Sequence, residues 1–178
     1  EDLLVLARLD EGRLPLQRAE ILPDELLTTV AHRFGTRARA EGRSLAVEAD
    51  PGLEVVGDRL RLEQALGNLV DNALLHGAGT VRLEAAGRDG LVELRVADEG
   101  PGFAPSFLPH AFDRFARGDE ARGGGTSGLG LAIVRAIADA HGGEVRASNL
   151  APHGAVVAIA LPRKAPGVEA DPASGPDA

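Results

Sequence analysis

The sequence predicts an α+β fold built as a two-layer sandwich. Helical and strand patterns follow each other in mixed succession, without the regular strand and helix alternation of a doubly wound parallel sheet. Residues 80–85 and 91–97 both alternate apolar and polar side chains, and the run GRDG between them is a hairpin signal. Strands joined by a hairpin are antiparallel, so the two-layer class is favoured over the doubly wound class.

The first part of the chain predicts two helices, a linker and one or two strands. Residues 1–9 carry apolar positions at helical spacing and look like the end of a helix that begins upstream. Residues 10–22 are expected to be a linker. A helix then runs from Pro23 to about Ala40, because a proline followed by two acids suits a first turn. Residues 44–48 alternate as a strand, and 53–56 are a second candidate.

The second part contains two further helices around the hairpin. Asp58 precedes the most regular helical pattern of the chain, which runs to about His76. After a stretch rich in Gly, Pro and Phe and a glycine-rich loop, a last helix is predicted from Gly128 to about His141. Two strands follow, near residues 144–148 and 155–161. Residues 163–178 are rich in Pro, Gly, Ala and acids, so we expect a disordered acidic tail.

Composition excludes several classes of function. The chain has 178 residues, a formal net charge of −8 and no cysteine, which excludes disulfide scaffolds, cysteine zinc sites and thiol nucleophiles. The excess of acids argues against nucleic-acid binding and against direct membrane contact, because both partners attract positive charge. No apolar run is long enough to span a bilayer. The chain begins with Glu1 and contains no Met, so we expect it to be part of a longer protein.

Polar side chains form a stripe along the helix from Asp58 to His76. Gln64, Asn68, Asn72 and His76 recur every four residues and converge on the apolar face towards the helix end. Amide and imidazole groups at the edge of a buried face need partners. The asparagines would either meet water and neighbouring loops or bind a ligand, and an amide oxygen suits Mg²⁺.

An acid and two glycines follow the second strand of the hairpin. Asp98 ends that strand, and Gly100 and Gly102 are separated by one residue, which describes a tight turn where the backbone comes close to a ligand. Asp98 would accept a hydrogen bond from an amino group of that ligand. The alternative is a strand-ending turn in which Asp98 caps its own backbone.

Five glycines lie within residues 123–130, immediately before an apolar helix. A helix N-terminus preceded by glycines is a natural phosphate site, because free amides and the positive end of the helix dipole meet there. The alternative is a flexible surface loop before a core helix. Residues 123–128 match the dinucleotide pattern GxGxxG only formally, since no strand precedes them, and no P-loop sequence occurs in the chain.

Four runs, in this order, resemble the sequence boxes of one family. LEQALGNLVDNALLHG is similar to the N box, ADEGPGF to the first glycine box, FDRF to the F box and GGGTSGLGLAIV to the second glycine box of the sensor histidine kinases. The resemblance covers about residues 3–162. It implies the ATP-binding GHKL (Bergerat) fold of gyrase and Hsp90, a mixed and mainly antiparallel sheet with helices covering one face. Residues 23–162 would be the catalytic ATP-binding domain, and 1–9 the end of a dimerisation helix.

The resemblance also implies roles for individual residues. Asn72 would coordinate the Mg²⁺ that bridges the ATP phosphates, and Asn68 would lie near the phosphates, where strongly hydrolytic relatives have a glutamate base. His76 would approach a phosphate, and Asp98 would accept a hydrogen bond from the adenine amino group. The implied catalytic residues are Asn68, Asn72 and Arg114. The remaining implied nucleotide-binding residues are Gly100, Gly102, Phe112, Phe115, Arg117, Thr126, Ser127, Gly128, Leu129, Gly130 and Leu131.

The implied activity needs partners that this chain does not supply. No histidine here is followed by an acid, as the phosphoacceptor of the family is. The expected partners are therefore the protein's own dimerisation and phosphoacceptor domain and a response-regulator receiver. The expected location is cytoplasmic, in a membrane-anchored sensor kinase.

Two other functions stay open at the level of the sequence. Leu75 replaces a basic residue that the family often has, and Thr126 stands where glycine is common, which suits a degenerate module that binds nucleotide without kinase activity. An ATP-driven clamp like gyrase is the other alternative, and Asn68 at the base position disfavours it.

Overall fold

The computed structural model describes residues 16–116 and 128–164, and the elements below lie within them. The strands are β1 (Ala19–Ile21), β2 (Leu45–Ala49), β3 (Val55–Gly57), β4 (Val81–Arg88), β5 (Leu91–Asp98), β6 (Glu144–Asn149) and β7 (Ala155–Pro162). The helices are α1 (Pro23–Ala40), α2 (Arg59–His76) and α3 (Gly130–Ala140), and a short 3-10 helix covers Leu108–His110.

Five strands form one sheet in the order β2-β4-β5-β7-β6. β2 and β4 are parallel, and the other neighbouring pairs are antiparallel. α1 packs on β2 and β4, α2 on β4 and β5, and α3 on β6 and β7, while α2 also packs on both other helices. The α+β class with a mixed, mainly antiparallel sheet is therefore confirmed.

Side-chain alternation in the central strands explains why the helices form one layer. In β4 the side chains of Val81, Leu83 and Ala85 are buried, and the residues between them are only half-buried. β5 repeats this pattern up to Val96. Because successive strand residues point to opposite faces, one face of the sheet carries the apolar core and receives the helices.

The predicted hairpin is present, with a shorter turn than the GRDG signal suggested. Arg88 pairs with Leu91, so the turn consists of Asp89 and Gly90 alone. Both have positive φ, at 51° and 78°, as a two-residue type I′ turn requires.

The structure differs from the prediction within residues 10–22, which were expected to be linker throughout. Ala19–Ile21 forms β1, which pairs antiparallel with β3 in a separate two-stranded sheet. Ile21 is buried, whereas its two strand neighbours are exposed. Three residues are too few to show an alternating pattern, so the pairing with β3 is visible only in the fold.

A buried histidine joins the beginning of α2 to the end of α3. The backbone N–H of Asp58 donates to Nε2 of His141 (2.9 Å), and Nδ1 of the same ring donates to the carbonyl of Ile137 (2.7 Å). The ring is therefore neutral, and burial lowers the pKa of His141 from 6.5. The Asp58 carboxylate caps α2 by accepting from the N–H of Arg61, and it also accepts from the N–H of Gln17.

Among the described residues, no helix has both the length and the apolar character needed to cross a membrane.

Candidate nucleotide-binding site

The two predicted asparagines lie half-buried on α2, at the edge of its core-facing side. The apolar face of the helix is buried as the periodicity predicted, at Leu62, Leu66, Leu69 and Ala73. Nδ2 of Asn68 donates to the carbonyl of Gly130 (3.3 Å), so Asn68 faces the first turn of α3. The Asn72 side chain makes no hydrogen bond within residues 16–116 and 128–164, and His76 is exposed. We call Asn68, Asn72 and His76 the asparagine face.

The N-terminus of α3 borders the asparagine face. Gly130 begins the helix, Leu129 before it is buried, and Leu131 is half-buried. The N–H groups of a first helical turn have no partners within the helix, and they point along its positive end. Among the described residues outside its own helix, a Cβ added to Gly130 would meet only Cβ of Asn68, at the ordinary contact distance of 3.9 Å, so there is room for it.

Asp98 lies at the end of β5 with only 7% of its surface exposed. One carboxylate oxygen accepts from the N–H of Gly100 (2.7 Å), so Asp98 does cap its own turn. Burial raises the pKa of Asp98 above 3.8, and this is opposed by the N–H of Gly100, by the charge of Arg43 and by the N–H of Ala78. The self-capping and ligand-binding interpretations are compatible, because a carboxylate has acceptor sites to spare.

Two glycines lie so close to Asp98 that no other residue fits. A Cβ on Gly77, just after α2, would meet Cγ of Asp98 at 2.4 Å and the carbonyl oxygen of Ala73 at 2.6 Å. A Cβ on Gly100 would lie 2.7 Å from Cα of Gly77. We call Gly77, Asp98 and Gly100 the Asp98 pocket. Its construction brings the end of α2 directly against the carboxylate.

Glu99 fixes the loop between α2 and β4 next to this pocket. Its carboxylate accepts from the N–H of Thr80 (3.1 Å) and from the guanidinium of Arg82 (2.7 Å), and its own N–H donates to the carbonyl of Ala78 (2.9 Å). Glu99 thereby holds the loop from both its side chain and its backbone. Sequence reasoning missed this role, since nothing in ADEGPGF distinguishes an exposed acid from a structural one.

Gly102 is positioned by a residue of β6 that the sequence did not single out. Asn149 accepts from the N–H of Phe103 (2.6 Å) and donates to the carbonyl of the same residue (2.9 Å). Gly102 has φ of 82°, and a Cβ there would meet the Asn149 amide at 2.7 Å. The predicted close approach of backbone at Gly102 is thus made to Asn149.

The F-box residues lie on either side of a backbone contact. Phe112 is half-buried and packs against the core, whereas Phe115 is 61% exposed. The N–H of Phe115 donates to the carbonyl of Gly128 (3.0 Å), and a Cβ on Gly128 would lie 2.9 Å from Phe115 Cα. Phe115 therefore meets the second glycine box through its backbone. Arg114 is exposed and engaged in an interaction.

Three predicted ligand residues, Arg117, Thr126 and Ser127, lie outside the described residues. Within the described part of the chain, no group of three or more His, Asp or Glu side chains could hold a metal ion. The oxygen ligands on the asparagine face are the side-chain amides of Asn68 and Asn72, and Mg²⁺ takes oxygen ligands together with substrate phosphates.

Comparison with known proteins agrees with the geometry. Residues 57–165 match the family described as histidine kinase-, DNA gyrase B-, and HSP90-like ATPase. The chain is 46% identical to the sensor histidine kinase component HK1 of Mycobacterium tuberculosis strain H37Rv, over 79% of this chain and 83% of that protein. It is 43% identical to a probable sensor histidine kinase HK of strain CDC 1551, over 93% of this chain but only 43% of that protein.

Solved structures give the same result. Full-length ShkA, crystallised in complex with AMPPNP, superposes with a TM-score of 0.82 at 34% identity, covering 91% of this chain and 34% of that chain. The mycobacterial sensor histidine kinase MprB gives a TM-score of 0.73 at 31% identity, covering 82% of this chain and 99% of that chain. The chain therefore belongs to the histidine kinase-, DNA gyrase B- and HSP90-like ATPase family, among the ATP-binding catalytic domains of sensor histidine kinases.

Proposed function

We propose that this domain binds Mg-ATP and transfers the γ-phosphoryl group to a histidine on a separate dimerisation domain, from which a response-regulator receiver takes it. One observation carries the proposal. α2 connects the Asp98 pocket, which it meets at Gly77, with the first turn of α3, which it meets at Asn68. These positions are nine residues apart, about 14 Å along a helix axis, so one elongated ligand can lie against both.

The Asp98 pocket suits an adenine base. A buried carboxylate that accepts hydrogen bonds selects a ligand with an amino donor, and it disfavours guanine, which presents a carbonyl oxygen at the corresponding position. The backbone of Gly77 and Gly100 approaches Asp98 so closely that side chains are excluded there. This leaves backbone as the wall of the pocket next to the carboxylate.

The asparagine face suits phosphates and Mg²⁺. Asn72 has an amide with no hydrogen-bond partner among the described residues, at a half-buried position, so its side-chain oxygen is available to a ligand. When bound, Mg²⁺ would neutralise charge on the phosphate oxygens, and Asn72 would hold it through its side-chain oxygen. The N–H groups in the first turn of α3, which have no partner within the helix, would bind phosphate oxygens, and the exposed side chains of His76 and Arg114 would approach the phosphates.

Asn68 makes transfer more favourable than hydrolysis in this site. An amide does not take a proton from water at neutral pH, so Asn68 cannot serve as the general base that activates an attacking water. Its Nδ2 already donates to the carbonyl of Gly130, which orients the amide oxygen away from that carbonyl. The residues described here thus position the nucleotide for an external nucleophile, an imidazole nitrogen of the dimerisation domain.

Calorimetric titration with ADP and ATP, with and without Mg²⁺ and with GTP for comparison, tests the binding part of the proposal. We expect adenine-selective binding that Asp98→Ala abolishes and a dependence on Mg²⁺ that Asn72→Ala removes. Gln64→Ala is the matched control for the second change, because it removes an amide from the same stripe eight residues earlier. A wild-type chain that binds no adenine nucleotide would refute the proposal.

Phosphoryl transfer needs a second measurement. The full-length protein's own dimerisation domain is supplied as a separate polypeptide, together with ATP labelled on the γ-phosphate, and the label on that domain is followed over time. We expect acid-labile, alkali-stable labelling that depends on Asn72. Tight ATP binding without labelling would instead support a regulatory module that holds nucleotide without kinase activity.

A further inference from the structure

Arg43 follows α1 and is aimed across the fold by the way that helix ends. Gly42 has φ of 69° and donates its N–H to Arg39, while the N–H of Arg43 donates to the carbonyl of Ala38 (2.8 Å). This pair of bonds is a Schellman motif, which turns the chain sharply at a glycine. The turn brings Arg43 to the far end of α2.

The guanidinium of Arg43 joins three backbone carbonyls beside the candidate site. Nη1 donates to the carbonyls of Ala73 (2.7 Å) and Leu74 (3.1 Å) in the last turn of α2, and Nε donates to the carbonyl of Gly79 (2.9 Å). Its Nη2 is the single buried side-chain nitrogen or oxygen without a hydrogen-bond partner among the described residues. A cation at the C-terminus of a helix also interacts favourably with the helix dipole.

These carbonyls belong to the two segments that surround Gly77. Gly77 donates its N–H to Ala73, the carbonyl that Arg43 also contacts, and it lies against the Asp98 carboxylate. Glu99 holds the same loop through the N–H of Thr80. The wall of the Asp98 pocket is therefore fixed by both Arg43 and Glu99.

Arg43 is also the cation that acts on Asp98. Burial raises the pKa of Asp98, the charge of Arg43 lowers it, and the like charge of Glu99 raises it. An ionised carboxylate only accepts hydrogen bonds, whereas a protonated one also donates and loses its preference for an amino group.

We propose that Arg43 is a positioning residue for base recognition, which fixes the Gly77–Gly79 loop against Asp98 and keeps that carboxylate an acceptor. This inference rests on the proposed nucleotide site and adds a residue outside the four sequence boxes. Lysine would retain the positive charge but lacks the planar guanidinium that donates to three carbonyls. Substitution by lysine and by glutamine therefore separates the effect of geometry from that of charge.

The experiment measures the Kd for ADP of the wild-type chain, Arg43→Gln and Arg43→Lys between pH 5.5 and pH 8. The ratio of variant to wild-type Kd at each pH cancels the titration of the ADP phosphates, which is common to both proteins. For Arg43→Gln we expect a ratio of about 3 at pH 8 that increases as the pH falls, because loss of the Arg43 charge raises the pKa of Asp98 further. For Arg43→Lys we expect a ratio of about 3 that stays flat with pH.

Arg88→Gln is the matched control, because it removes the same charge from an exposed position at the β4–β5 turn. We expect its ratio to stay near 1 throughout. A purely structural role for Arg43 would lower thermal stability and leave the ratio independent of pH in Arg43→Gln, which overturns the proposal. If Arg43→Gln does not fold, Arg43→Lys decides, and an affinity equal to that of the wild type overturns it.

The design separates this inference from the function it rests on. If the wild type binds ADP, Asp98→Ala abolishes that binding and Arg43→Gln leaves the Kd unchanged, only the role of Arg43 is refuted. Absence of ADP binding in the wild type refutes the nucleotide site and the role of Arg43 together.

Discussion

The two ends of the candidate site are built in opposite ways. In the Asp98 pocket, polar groups already have partners and the backbone is packed so closely that a Cβ at Gly77 or Gly100 would lie within 3.0 Å of its neighbours. On the asparagine face, Asn72 has no hydrogen-bond partner among the described residues, and a Cβ at Gly130 would meet its nearest neighbour at 3.9 Å. Among the described residues, the Asp98 pocket is thus a closed end of the candidate site, which the protein itself shapes, and the asparagine face with the start of α3 is an open end.

The largest expected effect on stability comes from adding a methyl group at the closed end, in the Asp98 pocket. We expect Gly77→Ala to lower the free energy of unfolding by about 3 kcal/mol, since the new Cβ would meet both Asp98 and the carbonyl of Ala73. ADP binding should be lost as well. Urea denaturation and calorimetry measure the two effects.

Gly130→Ala is the matched control at the open end. There is room for its Cβ, and alanine suits a helix better than glycine, so we expect unchanged or slightly raised stability. Equal losses for both substitutions would contradict the contrast between the two ends.

A substitution that lowers stability by a similar amount at another place in the fold tests whether lost stability alone explains the loss of ADP binding. His141→Ala leaves the buried N–H of Asp58 without its acceptor, and we expect a loss of about 2 kcal/mol. ADP affinity should change by less than about threefold, because His141 contacts the beginning of α2 and not its end. A large loss of ADP affinity in this variant, measured well below its melting temperature, would show that binding follows global stability.

His141 also makes the free energy of unfolding depend on pH, and the direction of its pKa shift fixes the sign of that dependence. Because burial lowers the pKa of His141 from 6.5, the unfolded chain binds its proton more readily than the folded chain. Its contribution to stability is therefore complete above about pH 6.5 and is lost as the pH falls below that value. Denaturation between pH 5 and pH 8 should show this slope in the wild type and a smaller slope in His141→Ala.

Sequence reasoning predicted the parts of the site that depend on local periodicity. The asparagine stripe follows from the 3.6-residue repeat of α2, and Asp98 follows from its position at the end of an alternating strand. The roles of Arg43, Glu99 and Asn149 were missed, because their contacts join residues 30, 17 and 46 positions apart. Contacts over such separations depend on the sheet order, which no local pattern encodes. β1 was missed for the same reason.

Asp98→Asn is expected to stabilise the fold while it damages base recognition. Burial raises the pKa of Asp98, so the folded chain binds the proton more tightly than the unfolded chain, and the ionised carboxylate reduces stability as the pH rises from 3.8 through the folded value. A neutral amide can still accept from Gly100, and we expect a gain of about 1 kcal/mol at pH 7. Urea denaturation should show the gain shrinking towards pH 3.5. A net loss at pH 7 would mean that Arg43 and the turn outweigh the cost of burial.

The smallest effect on stability is expected at the open end, in Asn72→Ala. The amide has no partner to lose among the described residues, and alanine is the better helix former, so we expect the free energy of unfolding to change by no more than about 0.5 kcal/mol. Mg²⁺ should nevertheless stop improving ATP affinity.

Differential scanning calorimetry with and without Mg-ATP reads both quantities from one sample. In the wild type, Mg-ATP should raise the melting temperature more than ATP alone, because a ligand stabilises the state that it binds. In Asn72→Ala the two ligands should give equal shifts from an unchanged starting temperature. A marked fall of the ligand-free melting temperature would instead assign Asn72 to the fold, and the open end would then be as complete as the Asp98 pocket.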